Sequence, residues 1–159
     1  MSRTILLIRH AKAIGGRFDR HLYPKEGAPL SDQGIKDAKH LSVQLENEKI
    51  DLKQTVAVSE LIRTKQTAIY AGFQHVRIYD TLNEIESGMP EPELEKLLKN
   101  IEVPKKAITA AKRLLNSPPE EDIWVTHGML IAGIGHVLNI PTTDLYIPDM
   151  ASITKIHIN

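Results

Sequence analysis

An α/β sandwich with a mostly parallel central sheet is the fold class this sequence predicts, on three observations. Short aliphatic or β-branched runs alternate along the chain with segments of helical periodicity. The first run, Thr4 to Ile8, is apolar on both faces, as a strand covered by helices on two sides must be. The length of 159 residues, 42% hydrophobic and 25% charged, suits one core, so residues 1–159 are expected to form a single domain. No internal repeat, low-complexity tract or linker divides them.

After the first strand, the glycines and prolines of residues 14–30 mark a long loop. Ser31 is placed to N-cap a helix whose buried face carries Ile35, Ala38, Leu41 and Leu45. Thr55 to Val58 reads as a second strand. Ser59 offers another N-cap, for a helix running to about Gly72, a suitable C-terminal stop. Val76 to Tyr79 is a candidate third strand. Leu94, Leu97, Leu98 and Ile101 stand at helical spacing and read as core. Pro104 suits the first turn of a helix carrying Ala107, Ile108, Ala111, Leu114 and Leu115. Ile123 to Thr126 is a fourth strand, Met129 to Leu138 a buried helix ending before Pro141, and Ile153 to Ile158 a weaker final strand.

Composition removes several classes. There are 20 Lys and Arg against 20 Asp and Glu, a formal net charge of zero, which argues against a protein that coats nucleic acid or an anionic membrane. Aromatics make up 4%, too few for a base-stacking surface. No cysteine is present, so disulfides, thiolate zinc sites and cysteine nucleophiles are out. The N-terminal apolar run Ile5 to Ile8 is too short for a signal peptide or a membrane span, and a cytoplasmic location is expected.

In a parallel sheet, ligands bind beyond the carboxyl ends of the strands. Arg9 and His10 follow the first strand. Ser59 follows the second, with Arg63 one turn into the helix. Glu84 follows the third, and His127 and Gly128 follow the fourth. Each alone has an ordinary explanation: a rim histidine, a solvated helix arginine, a loop carboxylate. Together they make one chemistry. Two guanidiniums favour a tetrahedral oxyanion such as phosphate, because each supplies paired planar donors and permanent charge. The helix start at Gly128 adds backbone N–H donors. A neutral imidazole attacks phosphorus, a second, charged imidazole stabilises the equatorial oxygens, and a carboxylic acid protonates the leaving oxygen. This chemistry requires no metal or other cofactor.

Five segments carry a resemblance to a known family: Arg9-His10-Ala11-Lys12, Pro29-Leu30-Ser31-Asp32-Gln33-Gly34, Ser59-Glu60-Leu61-Ile62-Arg63-Thr64-Lys65-Gln66-Thr67-Ala68, Leu82-Asn83-Glu84, and Val125-Thr126-His127-Gly128. In this order they resemble the histidine phosphatase (phosphoglycerate mutase-like) superfamily over nearly the whole chain. The resemblance implies a three-layer α/β/α sandwich. It implies that His10 carries the phosphoryl group, that Arg9, Arg63 and His127 bind it, and that Glu84 donates the proton. There are departures. Ala11 stands where the family usually has glycine. Gly15-Gly16-Arg17 stands where mutase-type members carry a phosphate-binding asparagine, so Arg17 or a glycine N–H is the candidate replacement. The mutase glutamate and tryptophan near the first motif are absent, which disfavours mutase activity. Arg9 to Lys12 with Phe18-Asp19-Arg20 looks like the bacterial phosphohistidine phosphatases. Leu82-Asn83-Glu84 looks more like the branch acting on small phosphate esters.

The expected activity is therefore metal-independent hydrolysis of a phosphomonoester through a phosphohistidine on His10, with a small phosphorylated metabolite favoured over a phosphoprotein. A protein phosphohistidine phosphatase is the alternative within the class. A non-catalytic phosphate- or partner-binding module on the same fold is the alternative outside it, and the presence of His10, Glu84 and His127 argues against that. Lys12, Arg17, Arg20 and Lys25 are read as a solvated loop rather than a second anion subsite. His21, His40, His75, His136 and His157 are read as structural or surface residues.

Overall fold

The computed structural model describes residues 2–15, 22–85, 102–140 and 147–159. Strands β1 (Arg3–Arg9), β2 (Thr55–Val58), β3 (His75–Ile78), β4 (Ile123–Thr126) and β5 (Ile153–Ile158) form one sheet in the order β3-β2-β4-β1-β5. The first four run parallel, and β5 pairs antiparallel with β1 along the edge. Among the described residues the helices are α1 (Asp32–Asn47), α2 (Ile62–Tyr70), α3 (Lys105–Asn116) and α4 (Gly128–Val137), with a 3-10 turn at Asp80–Leu82.

Side-chain alternation along the strands divides the core into two layers. Ile5, Leu7, Ala57 and Trp124 face Ala111 and Leu114 of α3 and Leu130, Ile131 and Ile134 of α4. Leu6, Ile8, Val56, Val58 and Val125 face Leu41 and Leu45 of α1 and Ala68 and Ala71 of the α2 end. This is the three-layer arrangement expected. The strand ends are also level. Arg9 pairs with Thr126, Val58 with Val125, and Val58 with Ile78, so residues following β1, β2, β3 and β4 emerge at one edge.

Local chemistry accounts for most boundaries. Ser31 caps α1 by accepting the Gly34 N–H at 3.0 Å, and its hydroxyl donates to the Lys12 carbonyl at 3.1 Å. Gly34 has no Cβ for a reason of packing: a Cβ there would lie 2.0 Å from the Lys12 oxygen. Three expectations need correction. Ser59 does not cap α2; Leu61 holds that position with no side-chain bond, because the Ser59 hydroxyl is engaged elsewhere. Pro104 lies just before α3, with ψ 146°, rather than in its first turn. The third strand lies one residue earlier than expected, at His75–Ile78. The helical spacing of Leu94, Leu97, Leu98 and Ile101 lies outside the described residues, as do Gly16, Arg17, Phe18, Asp19, Arg20 and His21.

Candidate active site

β1 delivers His10 to the carboxyl edge of the sheet, where its backbone N–H donates to the Thr126 carbonyl at 3.0 Å. The side chain is 8% exposed. Nδ1 lies 2.7 Å from the Ala11 carbonyl, and the Arg63 Nε–H donates to Nε2 at 3.3 Å. A carbonyl only accepts and a guanidinium only donates. The proton therefore sits on Nδ1, and Nε2 keeps its lone pair, the state a nucleophilic imidazole needs. His10, Arg9, Arg63 and Glu84 all line one cleft of about 1300 Å³.

The neighbouring loop is wired to α2. The Ala11 N–H donates to Thr67 Oγ1 at 3.0 Å, and that hydroxyl donates to the Arg63 carbonyl at 2.7 Å. The Leu30 N–H donates to Gln66 Oε1 at 2.7 Å. Behind Arg63, the Ile62 N–H donates to Glu26 O at 2.8 Å, and Gly27 adopts a left-handed φ of +84°. A Cβ on Gly27 would approach Arg63 Nη1 to 3.0 Å. Thr67 thus ties the residue after His10 to the Arg63 backbone, Gln66 ties the loop at Leu30 to the same helix, and Gly27 leaves room for the Arg63 guanidinium, roles the sequence did not announce. The available signal was the pair of threonines, Thr64 and Thr67, on the helix face that also carries Ala68.

Arg9 anchors through Nη1, which donates to the Pro148 carbonyl at 2.7 Å. Its Nε is buried without a hydrogen-bond partner among the described residues. A buried orphan donor costs about 1–3 kcal/mol. Burial pushes the Arg9 guanidinium below its ordinary value, with Glu84 and Asp149 acting in the opposite direction. The side chain lies against the start of α4, where the helix dipole is positive: a Cβ on Gly128 would fall 2.9 Å from Arg9 Nε and 2.6 Å from Ile147 Cγ2. Gly128 is thus the residue that lets a second cation sit there. A desolvated guanidinium with an open donor at a helix N-terminus is a receptor for an anion.

His127 is fully buried, and its ring meets His10 edge-on, with centroids 5.1 Å apart and an interplanar angle of 61°. Its Nε2 lies 2.9 Å from Ser59 Oγ. Glu84 is half-buried, and its Oε1 accepts the Ile85 N–H at 2.9 Å. The structure therefore brings together His10, Arg63, Arg9, His127, Gly128 and Glu84; Arg17 lies outside the described residues. Among the described residues, no three His, Asp or Glu side chains are grouped as a metal ion would need, and no helix is long and apolar enough to cross a membrane.

Residues 5–100 match the model of the histidine phosphatase superfamily (branch 1), a span that includes His10, Arg63 and Glu84. No curated protein sequence matches the chain significantly. Solved structures do match. The mycobacterial glucosyl-3-phosphoglycerate phosphatase is 19% identical with a TM-score of 0.67, over 99% of this chain and 91% of that one. The TTHB049 protein of Thermus thermophilus is 21% identical with a TM-score of 0.69, over 97% and 93%. A protein assigned as the phosphohistidine phosphatase SixA of Nakamurella multipartita is 21% identical with a TM-score of 0.53, over 85% and 64%. At these identities the structures establish the shared phosphoglycerate mutase-like fold. The family match over more than half of the chain establishes the rest: the chain belongs to the histidine phosphatase superfamily, branch 1, and is a phosphatase.

Proposed function

We propose that the chain, acting as one domain, hydrolyses a phosphomonoester without a metal, through a phosphohistidine on His10. The observation that carries this is the state of the His10 ring, with Nδ1 donating to the Ala11 carbonyl and the Nε2 lone pair facing Arg63 in the cleft. A phosphoryl group bound there would accept from Arg63 and from the Arg9 Nε–H, which has no other partner among the described residues.

The chemistry then runs in two steps. The Nε2 lone pair attacks phosphorus in line as the ester P–O bond breaks. Glu84, protonated, passes its proton to the leaving oxygen. In the second step Glu84 takes a proton from water, the water oxygen attacks phosphorus, and the P–N bond breaks to release phosphate. Arg9, Arg63 and His127 carry the charge that builds on the equatorial oxygens.

A small phosphorylated molecule is the favoured substrate, supported by the Leu82-Asn83-Glu84 element and by the neighbour that acts on glucosyl-3-phosphoglycerate. A phosphohistidine protein is the second reading, supported by the Arg9 to Lys12 motif and the SixA-type neighbour. Hydrolysis of para-nitrophenyl phosphate should survive exhaustive chelation and be inhibited competitively by vanadate. Activity lost to chelator and restored by a divalent ion would overturn the metal-independent scheme. A panel of phosphorylated metabolites beside a phosphohistidine protein then separates the two substrates.

A further inference from the structure

Ser59 was expected to cap a helix. Instead its hydroxyl, completely buried, stands between His127 and Thr64 in a network of hydrogen bonds, with Thr64 Oγ1 also 3.3 Å from the Ser59 carbonyl. Thr64 Oγ1 donates to the Leu61 carbonyl at 2.9 Å and accepts the Ser59 N–H at 3.1 Å. The two hydroxyl oxygens are 2.9 Å apart. The Leu61 N–H donates to Ser59 Oγ at 3.1 Å.

Counting protons orients this network. A carbonyl cannot donate, so the Thr64 proton goes to Leu61. The bond between the hydroxyls must then use the Ser59 proton. Ser59 Oγ has only lone pairs left, and it meets both the Leu61 N–H and His127 Nε2 with them. Making every contact at once therefore requires the hydrogen to sit on His127 Nε2. The reverse arrangement, with Ser59 donating to Nε2, gives up either the Ser59–Thr64 bond or the Thr64–Leu61 bond. In a fully buried site a lost bond has no water to replace it.

We infer that Ser59 and Thr64 are positioning residues that hold one proton on His127 Nε2, so that the second proton of the imidazolium sits on Nδ1 and donates to the phosphoryl group on His10. This rests on the role proposed above for His127. The same geometry favours the imidazolium, because Ser59 still accepts from Nε2 when both nitrogens are protonated, whereas a Ser59 that donated would oppose it.

The test combines ring-nitrogen NMR with kinetics. In 15N-labelled wild type, at a pH where the ring is neutral, His127 should show Nε2 protonated. Thr64→Val keeps the shape and removes the acceptor, so the Ser59 proton turns toward His127. The proton of the neutral ring should move to Nδ1, and kcat should fall roughly 10-fold with KM little changed, because a Ser59 that donates to Nε2 opposes the charged ring. Thr64→Ser keeps the hydroxyl and should restore both readings. An unprotonated Nε2 in the wild type overturns the inference outright, and that measurement needs no variant to fold. A ring that responds to Thr64→Val while kcat does not move overturns the positioning role. The NMR reading is independent of activity, so it stands apart from any failure of His10 as nucleophile.

Discussion

The floor of the cleft and its mouth are held by different forces. At the floor, His10, Arg63 and His127 are oriented by hydrogen bonds through Thr67, Ala11 and Ser59, most of them joining elements far apart in sequence. Such bonds, buried or partly buried, are specific. At the mouth stand Lys12, Lys25 and Lys106, all exposed. Arg113 and Asp80 pair there at 3.3 Å with side chains 67% and 64% exposed. Pairs that open to water contribute little. The described residues of the floor are therefore fixed in place, while those of the mouth make only weak, screened contacts.

The largest break expected is at the floor. Arg63→Ala removes the guanidinium facing His10 and should lower kcat by roughly 10²–10³-fold, the usual loss for one transition-state donor. Arg63→Lys should recover only part of it, since an ammonium lacks the planar paired donors. Steady-state kinetics on one ester settles both.

Glu84→Gln sharpens the comparison, because its effect should depend on the leaving group. An alkyl ester leaves as a basic alkoxide and should lose roughly 10²–10⁴-fold in the phosphorylation burst. A nitrophenyl ester leaves unaided, so its burst should persist while turnover slows. Equal losses on both substrates would remove Glu84 as the acid.

Gly34→Ala probes the support rather than the chemistry. Its Cβ would meet the Lys12 carbonyl, part of the backbone, so α1 or the loop must shift. A cost of about 1–3 kcal/mol is expected, seen as a lowered Tm. At the mouth, Lys25→Ala and Lys106→Ala should each change KM by less than about 3-fold at moderate salt, as exposed charges do. A much larger change would mean that the mouth holds a built anion subsite.

How much of this was legible in the sequence follows from range. Strand runs, the Ser31 cap and the gathering of Arg9, His10, Arg63, Glu84 and His127 at one edge follow from local periodicity and from the rule for parallel sheets. The role of Ser59 was not legible. A serine after a strand and before a helix looks like a cap, and its actual partner, His127, is 68 positions away. Gly34 likewise looked like a motif residue, and only the approach of the Lys12 carbonyl explains why no side chain fits. The orphan Nε of Arg9 depends on packing against α4 and could not be read from spacing.

The central claim is that His10 Nε2 takes the phosphoryl group. Wild-type enzyme quenched in mid-turnover with labelled substrate should hold phosphate that is stable to base and lost in acid, attached to the peptide containing His10. His10→Ala should show no such label and no turnover. Substantial ester hydrolysis by His10→Ala, or an acid-stable label on another residue, would contradict it.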